Sequence, residues 1–180
     1  MTAVGQMPDV FTPDECLWIS SLPLPASLAE ITEGGGPGTR LDYQRRRTLE
    51  REVPRNREFS WIYQRLRKLA LEANERAYRF KIGELMTMHV LEYSSEGFFD
   101  WHMDLGAGPT ASRKLSMVTF LTPPGEYDGG DLRFMDGSEA LRPAQGTTAI
   151  FPSYLLHKVD PVSRGTRHTL VSWLHGPCFS

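Results

Sequence analysis

The feature that most constrains this chain is a change of texture at Lys81. Beyond it, LMTMHVLEY, LSMVTFL, DLRF, TTAIF and HTLVSWL are short runs rich in β-branched and aromatic residues, separated by SSEG, GAGP, PPGEYDGG, MDGSE, RPAQG and PVSRG. Runs of this length with this punctuation predict strands. Shorter pieces at Phe99–Met103, Glu139–Leu141 and Tyr154–His157 bring the number to about eight. No helical stretch alternates with them, so a sandwich or barrel is expected and a βαβ fold is not.

Before Lys81 the pattern is helical or irregular. Thr12–Ser21 has a Thr N-cap candidate, then Pro13 and acidic residues, then apolar positions, the start signals of a short helix. Leu22–Gly38 reads as loop, with GGGPG (Gly34–Gly38) its most flexible part. Arg40–Arg57 mixes many arginines with acids; it reads as a solvated, salt-bridged segment, or else as a basic rim for an acidic substrate. From Ser60 to Tyr78, Trp61, Ile62, Leu66, Leu69, Ala70, Ala73 and Ala77 recur at helical spacing, and their apolar face needs a sheet to cover. The expectation is one domain over 1–180: a helical and loop region (1–80) packed on a β core (81–180), α+β but mostly β.

A chain of 180 residues can bury a core of its own. Its formal net charge of −2 gives no field for nucleic acid or an anionic membrane, and neither partner is expected. Cys16 and Cys178 form no metal or redox motif and are expected as free thiols in a reducing cytoplasm. The opening residues lack a basic and apolar leader pattern, and no apolar run approaches the length of a spanning helix.

The chemistry centres on FFDWHMDLG, Phe98–Gly106. On an extended chain His102 and Asp104 share a face, and Trp101 and Met103 share the other. Alone, an HxD pair is more often coincidence than a ligand pair. FPSYLLHKVDPVSRGTRHTLVSW adds His157, with Arg167 ten positions on. Two imidazoles and a carboxylate, two from one strand and one from a distant strand, are the ingredients of a facial triad with open positions on non-haem Fe(II). Arg167 suits an anionic co-substrate, since a guanidinium grips a carboxylate bidentately. By alternation Thr169, Val171 and Trp173 share its face, and Thr87, His89, Leu91 and Tyr93 share a face on the Leu85–Tyr93 strand. Thr169 and Tyr93 are candidates to touch the same carboxylate.

WIYQRLRKLALEANERAYRF, LEYSSEGFFDWHMD, RKLSMVTFLTPPGEYDGGDLRF and the His157–Trp173 stretch together resemble the Fe(II)- and 2-oxoglutarate-dependent dioxygenases, in the prolyl 4-hydroxylase-like branch that includes PKHD-type hydroxylases. The resemblance spans Ser60–Leu174. It implies a double-stranded β-helix (jelly-roll, cupin-like) core. It implies Fe(II) held by His102, Asp104 and His157, 2-oxoglutarate anchored by Arg167 and Tyr93, and ascorbate as a candidate reductant. Trp173 matches a position that lines the iron pocket in relatives. The implied reaction is O2-dependent hydroxylation of an unactivated C–H bond. Asp104 argues for hydroxylation over halogenation, because related halogenases carry a small residue there.

Alternatives stay open at this point. The substrate is a prolyl or peptidyl residue, or instead a free amino acid or small metabolite. From other classes, a non-catalytic metal-binding β-barrel regulator and a zinc hydrolase using the same three ligands compete; Arg167 discriminates, because hydrolysis has no evident need for it. His89 is either a pocket residue or a satisfied structural histidine. Arg113, with Lys114, is either at the pocket mouth or an exposed loop charge. His168 is read as outward, His175 as a surface residue past the last strand, and Asp131 as a turn residue. The segment from Gly34 to Arg57 is a candidate lid. The quaternary state is open between monomer and homodimer.

Overall fold

The computed structural model describes residues 4–32, 39–84 and 86–179. Leu85 and the GGGPG segment lie outside them. In chain order the described elements are β1 (Gly5–Met7), α1 (Pro13–Ser20), β2 (Ser27–Leu28), β3 (Ile31–Thr32), β4 (Thr39–Arg40), β5 (Arg46–Arg47), β6 (Leu49–Glu52) and α2 (Ser60–Ala73). After them come β7 (Met86–Tyr93), β8 (Phe98–His102), β9 (Arg113–Phe120), β10 (Asp128–Gly129), β11 (Leu132–Phe134), β12 (Thr148–Pro152), β13 (His157–Val159), β14 (Val162–Arg164) and β15 (Arg167–His175).

The two helices form where the sequence places them. Thr12 caps α1 through a reciprocal capping box: its hydroxyl accepts from the Glu15 backbone, and the Glu15 carboxylate accepts from the Thr12 backbone. On α2 the buried positions Ile62, Leu66, Ala70 and Ala73 form one stripe. The helix then widens into a π-helical turn, Asn74–Tyr78, which ends at Arg79 in the left-handed region (φ 56°). Asn74 closes that turn by bonding both the N–H and the carbonyl of Phe80. A bidentate pair from Arg65 to Glu15, at 2.6 and 2.9 Å, ties α2 to α1.

The strands form two antiparallel sheets that carry the core: a major one in the order β1-β12-β9-β15-β7-β6-β2, and a minor one in the order β11-β13-β8-β5. Two further pairs, β10–β14 and β3–β4, flank them. The double period of the strands divides the major sheet cleanly. Met86, Met88, Val90, Leu115, Met117, Ile150, Leu170 and Leu174 pack against Cys16, Ile19, Ile62, Leu66 and Ala70 of the helices. Leu91, Tyr93, Val118, Phe120, Phe151, Val171 and Trp173 point the other way, toward Leu132, Phe134, Val159 and Val162. The helical layer therefore covers one face of the major sheet and the minor sheet covers the other.

Several expectations change. Glu139–Leu141 is not a strand but a single bridge from Leu141 to Leu132. The strand expected at Tyr154–His157 begins only at His157, because Leu155 N–H bonds the Pro152 carbonyl and closes a turn first. Val162–Arg164, in what reads as a turn, pairs with Asp128–Gly129. Arg40–Arg57 is not wholly a solvated segment. β5 extends the minor sheet from β8, and β6 pairs with β7 over four residues, which holds this stretch in the framework and removes it from the candidate lid. Composition hides such short strands, since ladder bonds supplied by a neighbour outweigh weak local propensity.

Candidate active site

A cavity of about 600 Å³ opens between the two sheets. His102 ends β8 and His157 begins β13, and these strands pair with the two histidines directly opposite. Asp104 follows two residues after His102. The ligand atoms of the three residues all lie within 4.8 Å of one another. His102 Nε2 is 3.7 Å from one Asp104 oxygen, and His157 Nε2 is 3.7 Å from the other.

The surroundings orient each donor. His102 Nδ1 lies 2.7 Å from the Asp100 carbonyl and His157 Nδ1 lies 2.8 Å from the Leu155 carbonyl. An Nδ1–H must donate in each case, and each Nε2 faces an oxygen of Asp104. Burial and the neighbouring His157 push the His102 pKa down to about 3, so the ring is neutral at neutral pH. Burial alone would raise the Asp104 pKa; the two imidazoles, Arg113 and the Ser116 hydroxyl outweigh it and hold the carboxyl below its usual range. Ser116 donates to Asp104 Oδ2 at 2.6 Å and is itself within 2.9 Å of Ser153 Oγ. Two imidazoles and one ionised carboxylate fit a divalent metal such as Fe(II), with positions left open to the cavity.

Arg167 lines the same cavity. It is 1% exposed, stands over the rings of Tyr93 (5.1 Å) and Phe120 (5.3 Å), and its Nε and Nη2 have no protein acceptor. Thr169 Oγ1 on the same face is likewise buried without a partner. A buried guanidinium without an anion is costly, and two orphaned donors beside an orphaned hydroxyl describe a seat for a carboxylate. Tyr93 sits directly opposite Arg167 in the β15–β7 register. Gly130, at φ +66°, passes against the Arg167 stem; a Cβ there would lie 2.8 Å from Arg167 Cδ. The second glycine of YDGG thus lets the chain cross over the arginine.

The remaining candidates separate. His89 lines the cavity, meets Trp173 edge-on (5.6 Å between centroids) and lies 3.9 Å from Glu50. Burial, with Arg113 and Arg46 nearby, lowers its pKa to about 4, so it is neutral and its contact with Glu50 is not an ion pair at neutral pH. Arg113 is not a free loop charge. It stacks 3.8 Å over Trp173, lines the cavity, and donates to the Asp104 carbonyl at 3.3 Å. Lys114 is buried and reaches the Phe179 ring. His175 is a correction: it is the last residue of β15, 4% exposed, and bonds Ser112 and Thr87. Its pairing with Arg113 continues the sheet past the point where hydropathy fades. His168 points away from the cavity and meets Thr122 and Glu92. Asp131 holds Arg142 and takes no place near the ligands. Phe99 stacks on His102 (3.4 Å between centroids), Trp101 lines the cavity, and Phe98 lies under Arg47.

Sequence reasoning missed Arg46, Glu50 and Ser116. Arg46 covers Phe99 at 4.5 Å and meets Glu50 at 3.4 Å, and both line the cavity. For Ser116 alternation offered a signal, since it shares the inward face with Val118 and Phe120 on β9. For Arg46 and Glu50 the signal was coarse: one alternative read Arg40–Arg57 as a basic rim, with neither residue singled out.

The two-sheet fold is shared with solved prolyl hydroxylases. A Pseudomonas putida prolyl-4-hydroxylase aligns over 97% of this chain and 93% of its own at TM-score 0.73 and 19% identity. A Trichoplax adhaerens prolyl hydroxylase, solved with a peptide fragment of the hypoxia inducible factor oxygen degradation domain, aligns over 97% and 84% at TM-score 0.75 and 13% identity. Residues 88–175 match the profile of the 2OG-Fe(II) oxygenase superfamily. A "PKHD-type hydroxylase" of Stutzerimonas stutzeri is 36% identical over 90 residues, 46% of this chain and 40% of that protein. Another from a Synechococcus strain is 36% identical over 78 residues, 42% and 35%. The matched region spans two fifths or less of these relatives' length. That profile covers just under half of the chain, and its name states a metal, Fe(II), and a co-substrate, 2-oxoglutarate.

Proposed function

We propose that this chain is an Fe(II)- and 2-oxoglutarate-dependent hydroxylase, working as one unit over 1–180. His102, Asp104 and His157 hold the iron, and Arg167, with Thr169 and Tyr93, holds the far carboxylate of 2-oxoglutarate. The observation that supports this most is Arg167: a sealed guanidinium with two unanswered donors in the cavity that the three ligands share. A zinc hydrolase or a passive metal-binding barrel leaves that cost without purpose.

When bound, the iron couples decarboxylation of 2-oxoglutarate to hydroxylation, so that O2, 2-oxoglutarate and R–H become R–OH, succinate and CO2. The protein's own tasks are positional. Asp100 and Leu155 fix the imidazole tautomers, and Ser116 fixes the carboxylate. Arg167 sets the reach of the co-substrate, and the ring of Phe99 against His102 shields that side from water. The names of the relatives support a prolyl or peptidyl substrate. A second reading, a free amino acid or small metabolite, is favoured by the charged wall of Arg46, Glu50 and Arg113. Among the described residues no helix is long and apolar enough to cross a membrane. The cysteines Cys16 and Cys178 are unpaired, which supports a reducing compartment and a cytoplasmic place of work.

The test is anaerobic addition of Fe(II) and 2-oxoglutarate. The native chain is expected to give a weak visible charge-transfer band that Asp104→Ala lacks. A native protein with no band and tightly held zinc overturns the reading.

A further inference from the structure

Arg167 and Trp173 stand on the same inward face of β15, six residues apart, and strand rise separates them by about 20 Å. Arg113 belongs to the Trp173 end, since it pairs in register with His175. A co-substrate carboxylate seated on Arg167 therefore cannot also answer Arg113. The two ends of the cavity have separate electrostatic needs.

At the Trp173 end the need is unmet. Arg113 is packed face-on against the indole, its Nη1 serves the Asp104 carbonyl, and its Nε is buried with no acceptor. The indole Nε1 of Trp173, in the same contact, is also buried with no acceptor. Among the described residues no carboxylate lies within ion-pair distance of Arg113; Asp104 faces the two histidines, and Glu50 is engaged by Arg46. Asp104 and Glu50 act on Arg113 only at longer range, and burial pushes its pKa below the usual value. Arg46 differs, because it has both Glu50 and the Glu30 carbonyl. His89, neutral and edge-on to Trp173, brings no negative charge.

A cation and an indole N–H side by side, both lacking acceptors and both in the cavity wall next to Asp104, form a carboxylate seat of the same logic as Arg167. Resting on the proposed hydroxylase reading, the geometry points to a substrate that itself carries a carboxylate, held by Arg113 and the Trp173 N–H so that its carbon skeleton faces the metal ligands. Glu50, lining the same cavity, is an acceptor for an ammonium group. The α-carboxylate of a free amino acid fits this end better than an isolated acidic side chain of a peptide.

The experiment uses the native chain under argon with Fe(II) and 2-oxoglutarate, and reads perturbation of the visible band by added ligands. Formation of the band tests the hydroxylase reading by itself, before any ligand is added. The ligands are the common L-amino acids, their C-terminal amides, and short end-blocked peptides with and without an internal Asp or Glu. At least one acid is expected to perturb the band with its amide about tenfold weaker or more. That acid-to-amide ratio is expected to fall toward one in Arg113→Met and to shrink several-fold in Trp173→Phe, which keeps the test available if Arg113→Met does not fold. Perturbation by a blocked acidic peptide, and not by free amino acids, assigns the carboxylate to a side chain and keeps the seat. The inference is overturned if no acid perturbs the band, if amides or neutral peptides bind as tightly as acids, or if the ratio is unchanged in the folded variants.

Discussion

The two faces of the major sheet solve opposite problems with the same strands. On the helix side of β15 stand Leu170, Ser172 and Leu174; on the cavity side stand Arg167, Thr169, Val171 and Trp173. Polar groups on the helix side largely satisfy one another, as Thr119 and Thr148 do at 2.7 Å, with the Ser172 hydroxyl an exception. On the cavity side the donors of Arg167, Thr169 and Trp173 are buried with no protein acceptor. A face that exists for stability closes its hydrogen bonds internally, whereas a face that binds leaves them for a ligand. Strand alternation lets one chain segment serve both without compromise, because neighbouring residues never share an environment.

If that division is right, changes on the two faces should fail differently. The largest effect is expected for Arg167→Met, which removes the counter-charge proposed for the co-substrate: 2-oxoglutarate affinity should fall about a hundredfold or more while the thermal midpoint holds or rises. Titration of the charge-transfer band and a melting curve on the same sample check both halves. An unchanged affinity would mean that the co-substrate is anchored elsewhere. Leu66→Ala, at the centre of the helix face, should cost about 3 kcal/mol of stability and leave the 2-oxoglutarate dissociation constant intact, as read by urea unfolding and by the same titration. Thr12→Ala, which breaks the capping box of α1, should cost about 1 kcal/mol with no effect on the cavity.

The smallest effect at neutral pH is expected for His89→Gln, and it grows on acidification. The folded pKa of His89 is about 4 against an ordinary value of 6.5. Between those values the unfolded chain binds the extra proton, so the stability that His89 confers is present above about pH 6.5 and is lost as pH falls toward 4. Unfolding of the metal-free protein at pH 7 and at pH 5 should show a loss that is smaller in His89→Gln. An equal loss in both proteins would assign the acid sensitivity to other groups, such as the buried His102.

Much of the comparison was legible in advance, for local reasons. The stripe on α2 and the capping box of α1 depend on spacings of three and four residues. The sharing of a face by Arg167, Thr169 and Trp173 depends on spacings of two. What misled was the texture of segments whose partners are distant. Arg46 and Glu50 read as part of a charged loop, yet β5 and β6 are zipped onto β8 and β7 and carry these side chains to the cavity. Arg113 read as either a pocket-mouth residue or an exposed loop charge, because nothing within ten positions announces Trp173, on which it lies. His175 read as surface because it follows the last apolar run, and only the β9 register shows that it is sheet.

The sequence by itself determined the candidate set, two histidines, one aspartate and one arginine, and the face on which each stands. Those are properties of covalent spacing and backbone period. The tertiary structure alone decided that His102 and His157 meet as a cross-strand pair, that Gly130 clears the path over Arg167, and that a second unanswered cation shares the cavity with the first. These depend on pairings between strands far apart in the chain. The reason is physical: local spacing fixes which way a side chain points, but only packing fixes what it points at, and the chemistry resides in the second.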